Sequence, residues 1–124
     1  MEYDLYIKEG KTISEYAKEK SDISFSNKKI TMQYLRLEQA IIEASSIAEL
    51  GKHYEIKMLC SSTGLRELKL NKIRVIHFMY KDKLLVLLGT FHKKTGPTPP
   101  KIIKQNNNRI ADYIRIKENS KNEQ

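Results

Sequence analysis

With 124 residues, 40% hydrophobic and 31% charged, the chain has the size and composition of one small globular domain and too much apolar content for a long disordered chain. Lys and Arg number 23 against 15 Asp and Glu, a formal net charge of +8, so its surface favours a polyanion or an acidic protein as partner. The lone cysteine, Cys60, excludes an intramolecular disulfide, and no Cys/His cluster has zinc-ligand spacing, which fits a reducing cytoplasm.

Tyr3, Leu5 and Ile7 alternate with polar neighbours and predict a short opening strand that stops at Glu9-Gly10. The acidic residues in that stretch make it unlike a signal peptide. Thr12-Ile13-Ser14-Glu15 is a capping box, which starts a helix running to about Ser21. Ser26-Asn27 offers the next cap. Ile30, Tyr34, Leu37, Ile41, Ala44 and Ile47 follow at three- and four-residue steps and predict one long helix ending at Leu50-Gly51.

The period then changes. Leu65 to Leu70, Ile73 to Tyr80 and Leu84 to Lys93 read as three antiparallel strands, joined by turns at Asn71-Lys72 and Lys81-Asp82. Thr98 followed by Pro99-Pro100 is a helix start, and Ile103, Ile110 and Ile114 mark the apolar stripe of a last helix. Residues 118–124 lack large apolar side chains and read as a disordered tail beyond one domain at 1–117. Leu84 to Leu88 is the longest apolar run, far short of the ~20 residues of a membrane span. The order predicts an α+β domain with its helices on one face of a small twisted antiparallel sheet, leaving the other face partly open for a ligand.

Charge is not spread evenly. Gly64 to Lys117 holds 13 Lys/Arg and 3 acids, a local charge of +10, while the rest carries 10 against 12, or −2. A one-sided field of this kind concentrates a polyanion. Arg66, Lys69, Arg74, His92, Lys93 and Lys94 come from three consecutive strands that pairing would bring together as a phosphate site. Alternation along Arg74 to Tyr80 does not say which side meets the helices. Tyr80 and Tyr113 are candidate base-stacking residues, with core packing as the competing role. His77 sits mid-strand among apolar neighbours and is expected in the core.

The sequence contains no GxxxxGK[ST] phosphate loop, HExxH or GxSxG, and no close carboxylate cluster of the two-metal type, so no metal or other cofactor is expected. RNA brings its own nucleophile, the 2′-hydroxyl beside each phosphate. Cationic side chains that stabilise the phosphorane, with an acid or base such as His92, suffice for that reaction.

Gly64-Leu65-Arg66-Glu67-Leu68-Lys69, Arg74-Val75-Ile76-His77-Phe78, Leu87-Leu88-Gly89-Thr90-Phe91-His92-Lys93-Lys94-Thr95 and Thr98-Pro99 together resemble the RelE/HigB toxins of type II toxin–antitoxin modules, in their phage-derived HigB-like branch. The resemblance spans Gly64 to about Tyr113 and implies a RelE-like fold with two N-terminal helices, an antiparallel sheet and a C-terminal helix. It implies a cytoplasmic mRNA interferase that cuts messages in the ribosomal A site and is held inactive by a cognate, HigA-like helix-turn-helix antitoxin. By position, Arg74 resembles the family's phosphate-contacting arginine, and Lys93 and Lys94 its basic pair. Arg66 and Lys69 fall in the family's LRELR-type strand, Lys69 replacing an arginine and losing its bidentate fork. Asn106-Asn107-Asn108 departs from the family's usual helix. The competing reading is a basic module that grips nucleic acid or protein without cutting.

Overall fold

The computed structural model describes residues 1–6 and 28–122. In chain order these form β1 (Tyr3–Leu5), α1 (Lys28–Glu43), α2 (Ile47–Leu50), β2 (Ile56–Cys60), β3 (Leu65–Leu70), β4 (Ile73–Tyr80), β5 (Leu84–His92) and α3 (Pro100–Asn122). The helix expected over 12–21 and the end of the opening strand lie outside the described residues. The architecture is α+β, compatible with a RelE-like arrangement, with a sheet of order β1-β5-β4-β3-β2.

The three central strands pair as antiparallel hairpins because the runs between them end at residues that accept a left-handed backbone: Asn71 at φ 58°, Lys81 at 52° and Asp82 at 57°. Two features depart from the sequence reading. β1 adds to β5 in parallel, so the sheet is mixed rather than purely antiparallel. β2 pairs with β3 at the opposite edge and had not been expected. Only one side of an edge strand is hydrogen-bonded, and Lys57 and Met58 stay exposed, so its alternation is too weak to register as a strand.

The long second helix expected to reach Leu50 is two helices. Ser46 is extended at φ −159° and its side chain accepts from the Glu49 amide, so it starts α2 instead of continuing α1. The Met1 ammonium donates to the carbonyls of Ile41 (3.0 Å), Ile42 (2.8 Å) and Ala44 (2.6 Å), satisfying acceptors that the break leaves open. At the other end of the chain α3 runs past Lys117 to Asn122, and Glu118 accepts from the Tyr80 hydroxyl at 2.9 Å.

The helices do not share one face. Tyr34, Leu37 and Ile41 of α1 and Leu50 of α2 pack with Leu68, Leu70, Ile73, Val75, Leu85 and Leu87. Ile110 and Tyr113 of α3 pack with Leu65, Ile76, Phe78, Val86 and Leu88 on the opposite side. The expectation of one covered and one open face is thereby corrected. β4 and β5 carry apolar residues at successive positions, the pattern of strands buried on both sides. A bulge opposite Ile76 and His77 inserts Leu88 into β5 as an extra residue, so that Leu88 and Gly89 both look toward α3. The asparagine run in α3 is tolerated because tertiary contacts use it: Asn107 accepts from Thr63 at 2.7 Å, and Asn106 is buried.

His77 is in the core, as expected. Its Nδ1–H donates to the Val75 carbonyl at 3.0 Å, and its Nε2 is buried without a partner among the described residues. Burial, assisted by the nearby Arg66 charge, pulls its pKa down to about 4. The unfolded chain takes up this proton near pH 6.5 and the folded chain does so only near pH 4. Stability is therefore fully present above pH 6.5 and falls as the pH drops between these values, by up to about 3 kcal/mol. Urea midpoints measured from pH 7.5 to 4.5 should show this loss, and His77→Leu should flatten it; an equal slope in both proteins would refute the assignment.

Candidate nucleic-acid interface

Strand register decides which basic residues meet. Across the face that carries α3, Lys57, Glu67, Ile76 and Gly89 form one cross-strand row, and Lys69, Arg74 and Phe91 form the next. Lys57, Lys69 and Arg74 thus project from three neighbouring strands beside the N-terminal end of α3. The chain leaving β5 adds Lys93, whose amide donates to the Lys72 carbonyl at 2.8 Å. With Glu55 and Glu67 these residues line a groove of about 180 Å³. Four cations against two carboxylates leave it with a charge of +2.

Each cation is held differently. An Arg74 guanidinium nitrogen donates to the Asn71 carbonyl at 2.7 Å and to the Ile73 carbonyl at 3.1 Å, so the left-handed turn at Asn71 aims the arginine. A guanidinium has five N–H donors, and those not spent on the turn can serve a phosphate. Lys93 approaches Glu67 at 3.9 Å and is largely covered. Lys69 approaches Glu55 at 3.7 Å with both side chains in solvent, a pair worth little.

Glu67 is the organising residue that sequence reasoning missed. It is only 4% exposed and accepts from the Thr98 hydroxyl at 2.5 Å. Thr98 was expected to cap the last helix; instead the helix starts on the Pro99 carbonyl, which accepts from Ile102 and Ile103, and the Thr98 hydroxyl is directed to the sheet. The available signal was the pairing of Glu67 with Lys69 on one side of an alternating strand, where a carboxylate near the core requires partners. Lys57 was missed with its strand.

The remaining candidates lie elsewhere. His92 pairs with Ile73, whose side chain belongs to the α1 side, so it is on the face opposite Arg74. Lys94 is exposed and outside the groove lining. Arg66 pairs with His77 and borders a hollow with Met1, Ser46 and Met79 on the α1 side. Tyr80 and Tyr113 form an edge-to-face pair with centroids 5.6 Å apart at the far end of β4. Tyr113 is buried and donates to Asp4 at 2.6 Å, which is the core role rather than a stacking platform. The structure therefore brings together Lys69, Arg74 and Lys93 from the expected set and separates the other five. No protein-family model and no curated protein matches this sequence. Among the described residues no helix is long and apolar enough to cross a membrane.

Proposed function

We propose that the chain is a type II toxin of RelE/HigB kind, an endoribonuclease that needs no metal and cleaves mRNA in the ribosomal A site in the cytoplasm, neutralised by a cognate antitoxin. The observation that carries this reading is the convergence of Arg74, Lys93, Lys69 and Lys57 on one groove. A phosphodiester placed there meets cations on several sides. The 2′-oxygen attacks the adjacent phosphorus and forms a 2′,3′-cyclic phosphate as the P–O5′ bond breaks. The proton lost from the 2′-hydroxyl is balanced by one delivered to the departing 5′-oxygen. Charge builds on the non-bridging oxygens of the phosphorane, where Arg74 and Lys93 act most strongly. An acidic or helical antitoxin segment laid over the same groove would block it.

The second reading, a module that binds RNA without cutting it, is favoured by one fact: among the described residues no histidine lines the groove. Controlled expression in a bacterial host without antitoxin separates the two. Rapid growth arrest with new mRNA ends at codon-related positions is expected. Normal growth and intact messages, with soluble folded protein present, would leave only the binding module.

A further inference from the structure

The proposed cleavage needs a group that takes the proton of the 2′-hydroxyl. Lysine ammonium and arginine guanidinium groups only donate, so the cations of the groove cannot serve. Among the described residues that leaves the two carboxylates of its lining, Glu55 and Glu67. Glu67 is 4% exposed and already engaged: one oxygen accepts from the Thr98 hydroxyl at 2.5 Å and the other lies 3.9 Å from the Lys93 ammonium. Glu55 is open to solvent, with a side chain 74% exposed.

Strand register fixes where Glu55 stands. Ile56 pairs with Leu68 and Lys57 with Glu67, so Glu55, one residue ahead of β2, falls opposite Lys69. Its carbonyl accepts from the Lys69 amide at 2.9 Å, which continues the ladder by one residue. Lys69 in turn pairs with Arg74. Glu55, Lys69 and Arg74 therefore make one cross-strand row, with a carboxylate at one end and a guanidinium at the other. Neighbouring strands are about 4.8 Å apart, so the two ends of the row are roughly 10 Å apart at the backbone. Both side chains line the same groove, and one ribose–phosphate unit fits the span between them. The Lys69 ammonium, 3.7 Å from the Glu55 carboxylate, holds it over this row without burying it.

We infer that Glu55 is the general base of the cleavage, an assignment that rests on the ribonuclease reading. A Glu55 carboxylate oxygen takes the 2′-hydroxyl proton as the O2′–P bond forms. The P–O5′ bond breaks with its electron pair on the 5′-oxygen, which takes a proton from water, and Glu55 releases its own proton to the resulting hydroxide. Arg74, at the other end of the row, meets the charge on the non-bridging oxygens. With Glu55 in this role the groove needs no histidine.

The test is single-turnover cleavage of a message bound in the A site of purified 70S ribosomes, comparing the wild type with Glu55→Gln, which keeps the shape and removes the basic oxygen. The variant should fold normally, because the bond to Lys69 is made by the backbone and the side chain is exposed. Its rate should fall about 10²–10⁴-fold. Its affinity for the programmed ribosome should not weaken, since a negative charge leaves a cationic groove. The pH dependence separates a base from a bystander that only neutralises Lys69. A carboxylate base works throughout the neutral range, so the wild-type rate should be nearly flat there, whereas residual cleavage by the variant must draw on hydroxide and climb about tenfold per pH unit. Cleavage by Glu55→Gln at the wild-type rate, or at a reduced rate with the wild-type pH dependence, would overturn the assignment and leave the ribonuclease reading standing. A wild type that binds the programmed ribosome and does not cut would bring down both.

Discussion

For the ribonuclease proposed above, Arg74→Ala is expected to lower RNA cleavage by about 10²–10³-fold and to abolish growth arrest, because it deletes the planar donor that would meet the charge developing on phosphorus. The loss should fall on turnover more than on RNA affinity, since Lys57, Lys69 and Lys93 still attract the backbone. Stability should barely change, as the bonds from Arg74 to the Asn71 and Ile73 carbonyls are at the surface or only partly buried. Lys93→Ala should act in the same direction. His92→Ala provides the contrast: its strand partner is Ile73, on the α1 side, and its removal should leave cleavage near the wild-type rate. Primer extension after induction, with melting curves for each variant, reads all three. Full toxicity in the Arg74 and Lys93 variants, or its loss in the His92 variant alone, would place the active site elsewhere.

Glu67→Ala should destabilise the fold by about 1–3 kcal/mol, the cost of leaving a buried polar partner unsatisfied. The substitution leaves the buried Thr98 hydroxyl without its acceptor and Lys93 without its counter-charge, next to Lys57, Lys69 and Arg74. Thr98 stands two residues ahead of α3, so its bond to Glu67 also fixes where that helix leaves the sheet. Glu67→Gln keeps an acceptor for Thr98 and removes only the charge, and should lose less. Urea unfolding of the two variants measures the difference, and a wild-type midpoint for Glu67→Ala would show that the cluster contributes nothing net. Cleavage should drop in both, through Lys93 rather than through direct contact of Glu67 with RNA.

Both effects originate in residues of unequal legibility. Arg74 and Lys93 were visible as cations at strand positions inside a strongly basic half of the chain. Glu67 shares one side of its strand with Lys69, a weak signal that does not by itself show how deeply the carboxylate is buried. The base-stacking candidates failed for a related reason. A tyrosine at a strand end or on a helix stripe has the same sequence pattern whether it faces solvent or core, and Tyr113 is held by Asp4 from the other end of the chain. Asn106 reads as a weak point of the helix, and only the packing of α3 on β5 shows it to be buried, with an oxygen that has no partner among the described residues.

The sequence by itself determined what local chemistry determines: the strands from Leu65 to His92 through hydrophobic runs and turn residues, the start of α3 near its prolines, the core placement of His77, and the concentration of positive charge after Gly64. Tertiary structure decided what depends on partners distant in the chain. The parallel addition of β1 to β5, the edge pairing of β2, the placement of α3 opposite α1 and the bulge at Leu88 together set which side each alternating residue faces. Since neighbouring residues of a strand project to opposite faces, that choice alone brought Lys69, Arg74 and Lys93 together and sent His92 and Arg66 to the other side.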